Sequence, residues 1–141
     1  MSLEESLGGL VGEWSLEGEI LGKRLVQEVS VGWVLGGAYL HMHYLPSTVT
    51  PLTDEPYEAI AYIGWLPEGN PIMHLFDTFG ARFSAPGIGE VLDDGLRFRF
   101  DYPDGQFVTD LLRTRYGWTI EQWSIDDGEK TPFGVKRLTR H

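Results

Sequence analysis

Alternation of apolar and polar residues at a period of two constrains this chain more than any other feature. Leu96, Phe98, Phe100 and Tyr102 alternate with Arg97, Arg99 and Asp101. A helix would scatter these side chains around its circumference, whereas a strand sends them to opposite faces. In Gly12–Ile20, Trp14, Leu16 and Ile20 alternate with Glu13, Ser15, Glu17 and Glu19. In Leu25–Leu35 the apolar set is Leu25, Val29, Val31, Trp33 and Leu35. Further strands are expected over Ala38–Leu45, Tyr57–Trp65, Ile72–Thr78, Ala81–Val91, Gln106–Tyr116, Trp118–Ile125 and Phe133–Arg140.

Turn chemistry separates these segments. Asp93-Asp94-Gly95, Pro103-Asp104-Gly105 and Asp126-Asp127-Gly128 place Gly where a tight hairpin needs it, and Pro67-Glu68-Gly69-Asn70-Pro71 makes a corner. Only Pro46–Pro56 reads as a longer loop. The one helix signal is Ser2–Leu7, with Ser2 as cap, Glu5 three residues on and Gly8-Gly9 as the stop. About ten one-faced strands in a flat sheet would leave exposed edges, and closure removes them. The expected fold is therefore all-β: a closed antiparallel up-and-down β-barrel of about ten strands with a short N-terminal helix. At 141 residues, the chain is expected to form a single domain over 1–141.

Composition narrows the function. There are no cysteines, which excludes disulfide frameworks, thiolate metal sites and a cysteine nucleophile. The formal net charge of −10 repels phosphate backbones and anionic membranes, so neither nucleic acid nor membrane is an expected partner. MSLEESLGGL has neither a basic nor an apolar segment of a secretory signal, and the chain is expected in the cytoplasm.

Gly12-Glu13-Trp14 in the first strand resembles the G-x-W opening of the calycin barrels, the lipocalins, fatty-acid-binding proteins and avidins. Gly12-x-Trp14-x-x-x-Gly18, Gly36-Gly37 and Phe76-Asp77-Thr78-Phe79-Gly80 are closer to uncharacterised lipocalin-like families related to the haem-binding nitrobindins. The likeness runs over nearly the whole chain in order and spacing. It implies that Trp14 plugs the closed end, with Arg137 or Arg140 over its indole; such a cation–π contact contributes on the order of 0.5–2 kcal/mol. Nitrobindin-like proteins hold haem through a histidine on a strand near the C-terminus. Phe133–Arg140 has none and His141 is terminal, so haem is not expected and no cofactor is assigned.

His41-Met42-His43 is the most pointed local feature. Residues i and i+2 share a strand face, so His41, His43 and Tyr39 point together. They could hold a metal with His74 or Asp77 as a third ligand, line the interior as hydrogen-bonding groups, or face water. Trp33, Tyr57, Trp65, Phe98, Phe100 and Trp118 are expected to project inward, with Arg113, His74 and Gln122 as polar anchors for a ligand. No nucleophile elbow or Gly-rich phosphate loop occurs, and the acidic pairs sit in turns. The leading expectation is a barrel binding a small hydrophobic or amphipathic molecule through Trp33, Tyr39, His41, His43, Trp65, His74, Phe98, Arg113, Trp118 and Gln122. The alternative is a barrel enzyme, metal-dependent or isomerase-like, using His41, His43 and His74. A self-associating module with a filled interior, or a homodimer formed through an exposed strand face, completes the set.

Overall fold

A computed structural model describes residues 3–48 and 56–141, with helix side chains from Glu5 onward. Helix α1 (Leu3–Leu7) leads into ten strands: β1 Gly12–Ile20, β2 Lys23–Val34, β3 Tyr39–Tyr44, β4 Ala59–Trp65, β5 Pro71–Asp77, β6 Gly87–Leu92, β7 Gly95–Tyr102, β8 Gly105–Arg113, β9 Trp118–Asp126 and β10 Glu129–Arg140. Each strand pairs antiparallel with its chain neighbours, and β10 returns to pair with β1. The sheet is a closed up-and-down barrel. No helix among the described residues is long and apolar enough to cross a membrane.

Several boundaries differ from the sequence expectation, each for a local reason. Ala81–Val91 is not one strand. Ala81–Phe83 forms a 3-10 turn, and β6 begins only after Pro86, which has no N–H to give a ladder. Pairing between β5 and β6 is consequently confined to Ile72 with Ile88 and Met73 with Gly87. Strand β8 stops at Arg113 rather than Tyr116, because the Thr114 N–H turns back to the Gly117 carbonyl. Strand β10 starts before Phe133, and its register with β9 shifts between Pro132 and Gly134. The Ser2 cap and most of the Pro46–Pro56 loop lie outside the described residues. At the loop's margins, Ser47 and Tyr57 exchange two hydrogen bonds, Ser47 N–H to Tyr57 O at 2.9 Å and Tyr57 N–H to Ser47 Oγ at 3.0 Å.

One end of the barrel is packed shut. Trp14 is buried there beside Leu7 and Leu10, its Nε1 donating to Leu10 O at 2.7 Å. The Arg140 guanidinium lies 4.4 Å from the Trp14 ring centroid and donates to Gly9 O and Val11 O at 2.9 and 3.0 Å. Arg140 is thus the basic residue over the indole; Arg137 stands in the opposite phase, in register with Glu17 and exposed. Leu96, Phe98, Leu111, Leu138 and Trp118 fill the adjoining part of the interior, and Phe100 continues it toward Tyr102, on which it stacks at 5.6 Å.

Close backbone approach at Gly18 closes the sheet. It pairs with Lys136, and a Cβ there would overlap the Val135 carbonyl oxygen and lie 2.6 Å from Lys136 Cα. These are backbone atoms and cannot swing aside. We expect Gly18→Ala to destabilise the fold by about 3 kcal/mol or more, because overpacking against backbone forces the two strands apart. Gly32→Ala, whose added methyl meets nothing within 4 Å, is expected to change stability by less than about 1 kcal/mol. Urea unfolding of the two variants checks this. Equal stabilities would contradict the seam.

Candidate functional site

Phase along β10 determines which side chains enter the interior. With Arg140 over Trp14, the inward set is Gly134, Lys136, Leu138 and Arg140. Lys136 is therefore carried into the barrel, where it is 3 % exposed between Gly18 on β1 and Ile120 on β9. Its Nζ sits 5.5 Å from the Tyr57 ring centroid. Burial lowers the ammonium pKa to about 8, and the Asp77 carboxylate partly offsets that fall. Among the described residues the ammonium has no ion pair and no hydrogen-bond acceptor.

Asp77 ends β5 on the inward face. Tyr57 Oη donates to its Oδ2 at 3.0 Å and the Phe79 N–H donates to its Oδ1 at 3.1 Å. Burial raises the Asp77 pKa; those two hydrogen bonds and the Lys136 charge oppose the rise. The same burial pushes the phenols of Tyr44 and Tyr57 well up and that of Tyr102 to about 12, with Asp77 adding to the last two shifts. Gln122 on β9 donates to Thr109 Oγ1 at 3.5 Å, while its buried Oε1 has no partner among the described residues. Gln27 ties the interior to the loop margins by donating to Leu45 O and Tyr57 O.

These groups sit below a cavity of about 270 Å³ at the end opposite Trp14. Its walls are mostly rings: Phe79, Phe83, Tyr102, Phe107 and Phe133, with Leu21 at the rim and Asp77, Gln122 and Ser124 as polar groups. The rings brace one another, Phe107 against Phe133 at 5.0 Å and Phe83 against Tyr102 at 5.3 Å between centroids. Beneath lies a recess of about 20 Å³ beside Lys136, roomy enough for a single water. Cavity and recess share Tyr57, Leu75 and Gln122 as walls. The buried amine lies on the far side of that shared wall from the apolar mouth.

The sequence expectation placed several residues differently. Tyr39, His41 and His43 project outward, because Leu40, Met42 and Tyr44 take the inward phase of β3. His74 is also outward, in register with Tyr62, whose ring lies between β3 and β5 and 5.1 Å from His41. His43 Nε2 contacts Glu58 Oε2 at 2.8 Å on that outer surface. Among the described residues no three His, Asp or Glu side chains converge as an ion would require. Phe98 and Trp118 are inward but belong to the packed half, as do the partly buried Trp33 and Trp65. Arg113 is exposed at the closed rim, 5.9 Å from the Trp118 ring. Of the ten expected ligand contacts, Gln122 lines the cavity. Lys136, Asp77 and Tyr102 were missed as anchors, yet the signal for Lys136 was available: placing Arg140 over Trp14 forces Lys136 inward at the same period.

Comparison with known proteins finds no family model that matches the chain and no characterised protein that matches it significantly.

The buried lysine has a direct consequence for stability. Its folded pKa of about 8 lies below the unfolded value of 10.5, so the unfolded chain binds more protons between them and stability rises with pH there. The charged lysine costs about 3 kcal/mol below that window. Ionisation of unfolded tyrosines opposes the trend above about pH 10, since the folded phenols resist ionisation. We expect wild-type stability to rise from about pH 8 to pH 10. Lys136→Met should be the more stable protein at neutral pH and lack that slope. Urea unfolding across the range checks it; parallel curves for the two proteins would contradict a buried ammonium.

Proposed function

We propose that the barrel binds a small amphipathic molecule through its open end. Its apolar body lies against Phe79, Phe83, Phe107 and Phe133, and its polar end is directed at Gln122 and Lys136. The carrying observation is the aromatic cavity of about 270 Å³, on which the buried carbonyl oxygen of Gln122 has no partner, and which shares Tyr57, Leu75 and Gln122 with the recess beside Lys136. Buried polar groups left without partners are costly; a ligand hydroxyl can donate to Gln122 Oε1 and accept from Lys136, recovering part of that cost. At roughly 25 cal/mol per Å², each ~55 Å² of apolar ligand surface covered contributes about tenfold in affinity.

In this reading the protein is a lipocalin-like carrier of the cytoplasm, and the Trp14–Arg140 stack supports that kinship. His41, His43 and His74 stand on the other face of the sheet from the cavity, so the reading draws on none of them.

A fluorescent apolar anion, 1-anilinonaphthalene-8-sulfonate, tests the proposal. We expect saturable binding with enhanced emission to the folded protein. Ser124→Trp fills the mouth from its wall and should weaken that binding at least about tenfold, a loss of ~1.4 kcal/mol, while the melting temperature holds. Absence of saturable binding by the wild type would sink the reading.

A further inference from the structure

We propose that Lys136 is a covalent capture site for apolar aldehydes, its Nζ condensing with the carbonyl carbon of a molecule seated in the open-end cavity. The inference rests on the binding reading above and adds the chemical class of the ligand.

Three observations carry it. First, the amine is enclosed, lies on the recess that shares Tyr57, Leu75 and Gln122 with the aromatic cavity, and has no ion pair or hydrogen bond among the described residues, only the Tyr57 ring face 5.5 Å away. A structural lysine in such a place is normally paired with a carboxylate. Second, the groups facing it leave its charge only weakly supported. Asp77 is the carboxylate coupled to it, and that carboxylate is itself engaged by Tyr57 and the Phe79 N–H; Tyr57 and Tyr44, the other titratable groups on the recess, stay neutral. Burial consequently leaves about a tenth of the molecules with a neutral amine at pH 7, against roughly one in three thousand for an ordinary lysine. Third, the walls exclude bulk water from the amine, which favours condensation over hydrolysis.

The step balances without a co-reactant. The nitrogen lone pair bonds to the carbonyl carbon, and the carbonyl π pair moves to oxygen, giving a carbinolamine. The oxygen then leaves as water with both amine protons, and the carbon–nitrogen double bond forms. Protonation of that imine restores a positive charge opposite Asp77.

The test treats the wild-type protein with 2-naphthaldehyde, traps the imine with cyanoborohydride and maps the adduct by peptide mass spectrometry. Lys23 and Lys130, both exposed, serve as internal references. We expect Lys136 to be labelled at least tenfold faster than either, with the rate rising through about pH 8. Prior saturation with 2-naphthylmethanol, which has the shape but no carbonyl, should suppress the Lys136 adduct. Labelling of Lys136 no faster than Lys23 and Lys130 overturns the capture proposal. If the alcohol binds in that case, quenching tryptophan emission, the container reading survives and only the capture fails. If neither molecule binds, both fall. Mapping on the wild type keeps the result independent of whether Lys136→Met folds; where it does, it should retain alcohol binding and lose the slow-hydrolysing adduct.

Discussion

The seam between β1 and β10 is the contact on which the rest of the barrel depends. At Gly18 the two strands approach so closely that no side chain fits between the backbone and Val135–Lys136. Closure there removes the last pair of exposed edges from the sheet. It also sets the phase of β10: once Arg140 covers Trp14, each second residue back along the strand must enter the interior. Leu138 suits that position. Lys136 does not, and it stands opposite Gly18, where a Cβ would meet the backbone of Val135 and Lys136. The one contact that makes the fold a barrel thus also places its most unusual side chain.

Filling is uneven along the barrel axis. From the middle of the barrel, Phe98 and Phe100 reach across to the bare backbone of Gly89 and Gly87; a Cβ at Gly87 would stand 2.5 Å from the Phe100 ring. Glycine on one strand and a large ring on its neighbour are complementary, and the interior there is solid. Toward the open end, the inward positions pass to Tyr57, Asp77, Gln122, Ser124 and Lys136, and the rings withdraw to the rim. Pairing of β5 with β6 ends at Met73 and Gly87, short of Asp77, and Phe79 and Phe83 from the intervening segment line the opening. The Tyr57–Asp77 hydrogen bond holds that stretch of the wall in place.

The architecture was legible in the sequence because period-two patterning and turn residues are local signals that closure reinforces. Strands such as Leu96–Tyr102 have one apolar phase and admit one reading. Tyr39–Tyr44 is different: Tyr, His, His and Leu, Met, Tyr are both plausible inward sets, so choosing the histidines reversed the face of the whole strand. The decisive information is the register with β2 and β4, where Leu40 faces Trp33 and Ile63. The site was less legible than the fold for the same reason. Gln122 was found by its own alternation, but Lys136 lies in Val135-Lys136-Arg137, where charge on two successive residues hides which one is inside. Only the long-range stack of Arg140 on Trp14 resolves it. Arg113 illustrates the converse, since its phase is inward but its position at the closed rim takes it out to water.

The choice of lysine at this depth bears on what the cavity can do. Arginine would remain charged and would need several acceptors that the recess does not offer. Methionine would pack without cost but could not engage a polar ligand. Lysine alone can shed its proton on burial, and the nearest acid is already shared between Tyr57 and a backbone N–H. The result is an amine whose charge state responds to whatever enters: an anionic group would draw it toward ammonium, a neutral carbonyl would meet it as a nucleophile. Gln122, with its free carbonyl oxygen, can accept a hydrogen bond from a ligand hydroxyl. Under the proposed binding role, discrimination between ligands would come less from the ring-lined mouth than from which polar end satisfies Lys136 and Gln122 together.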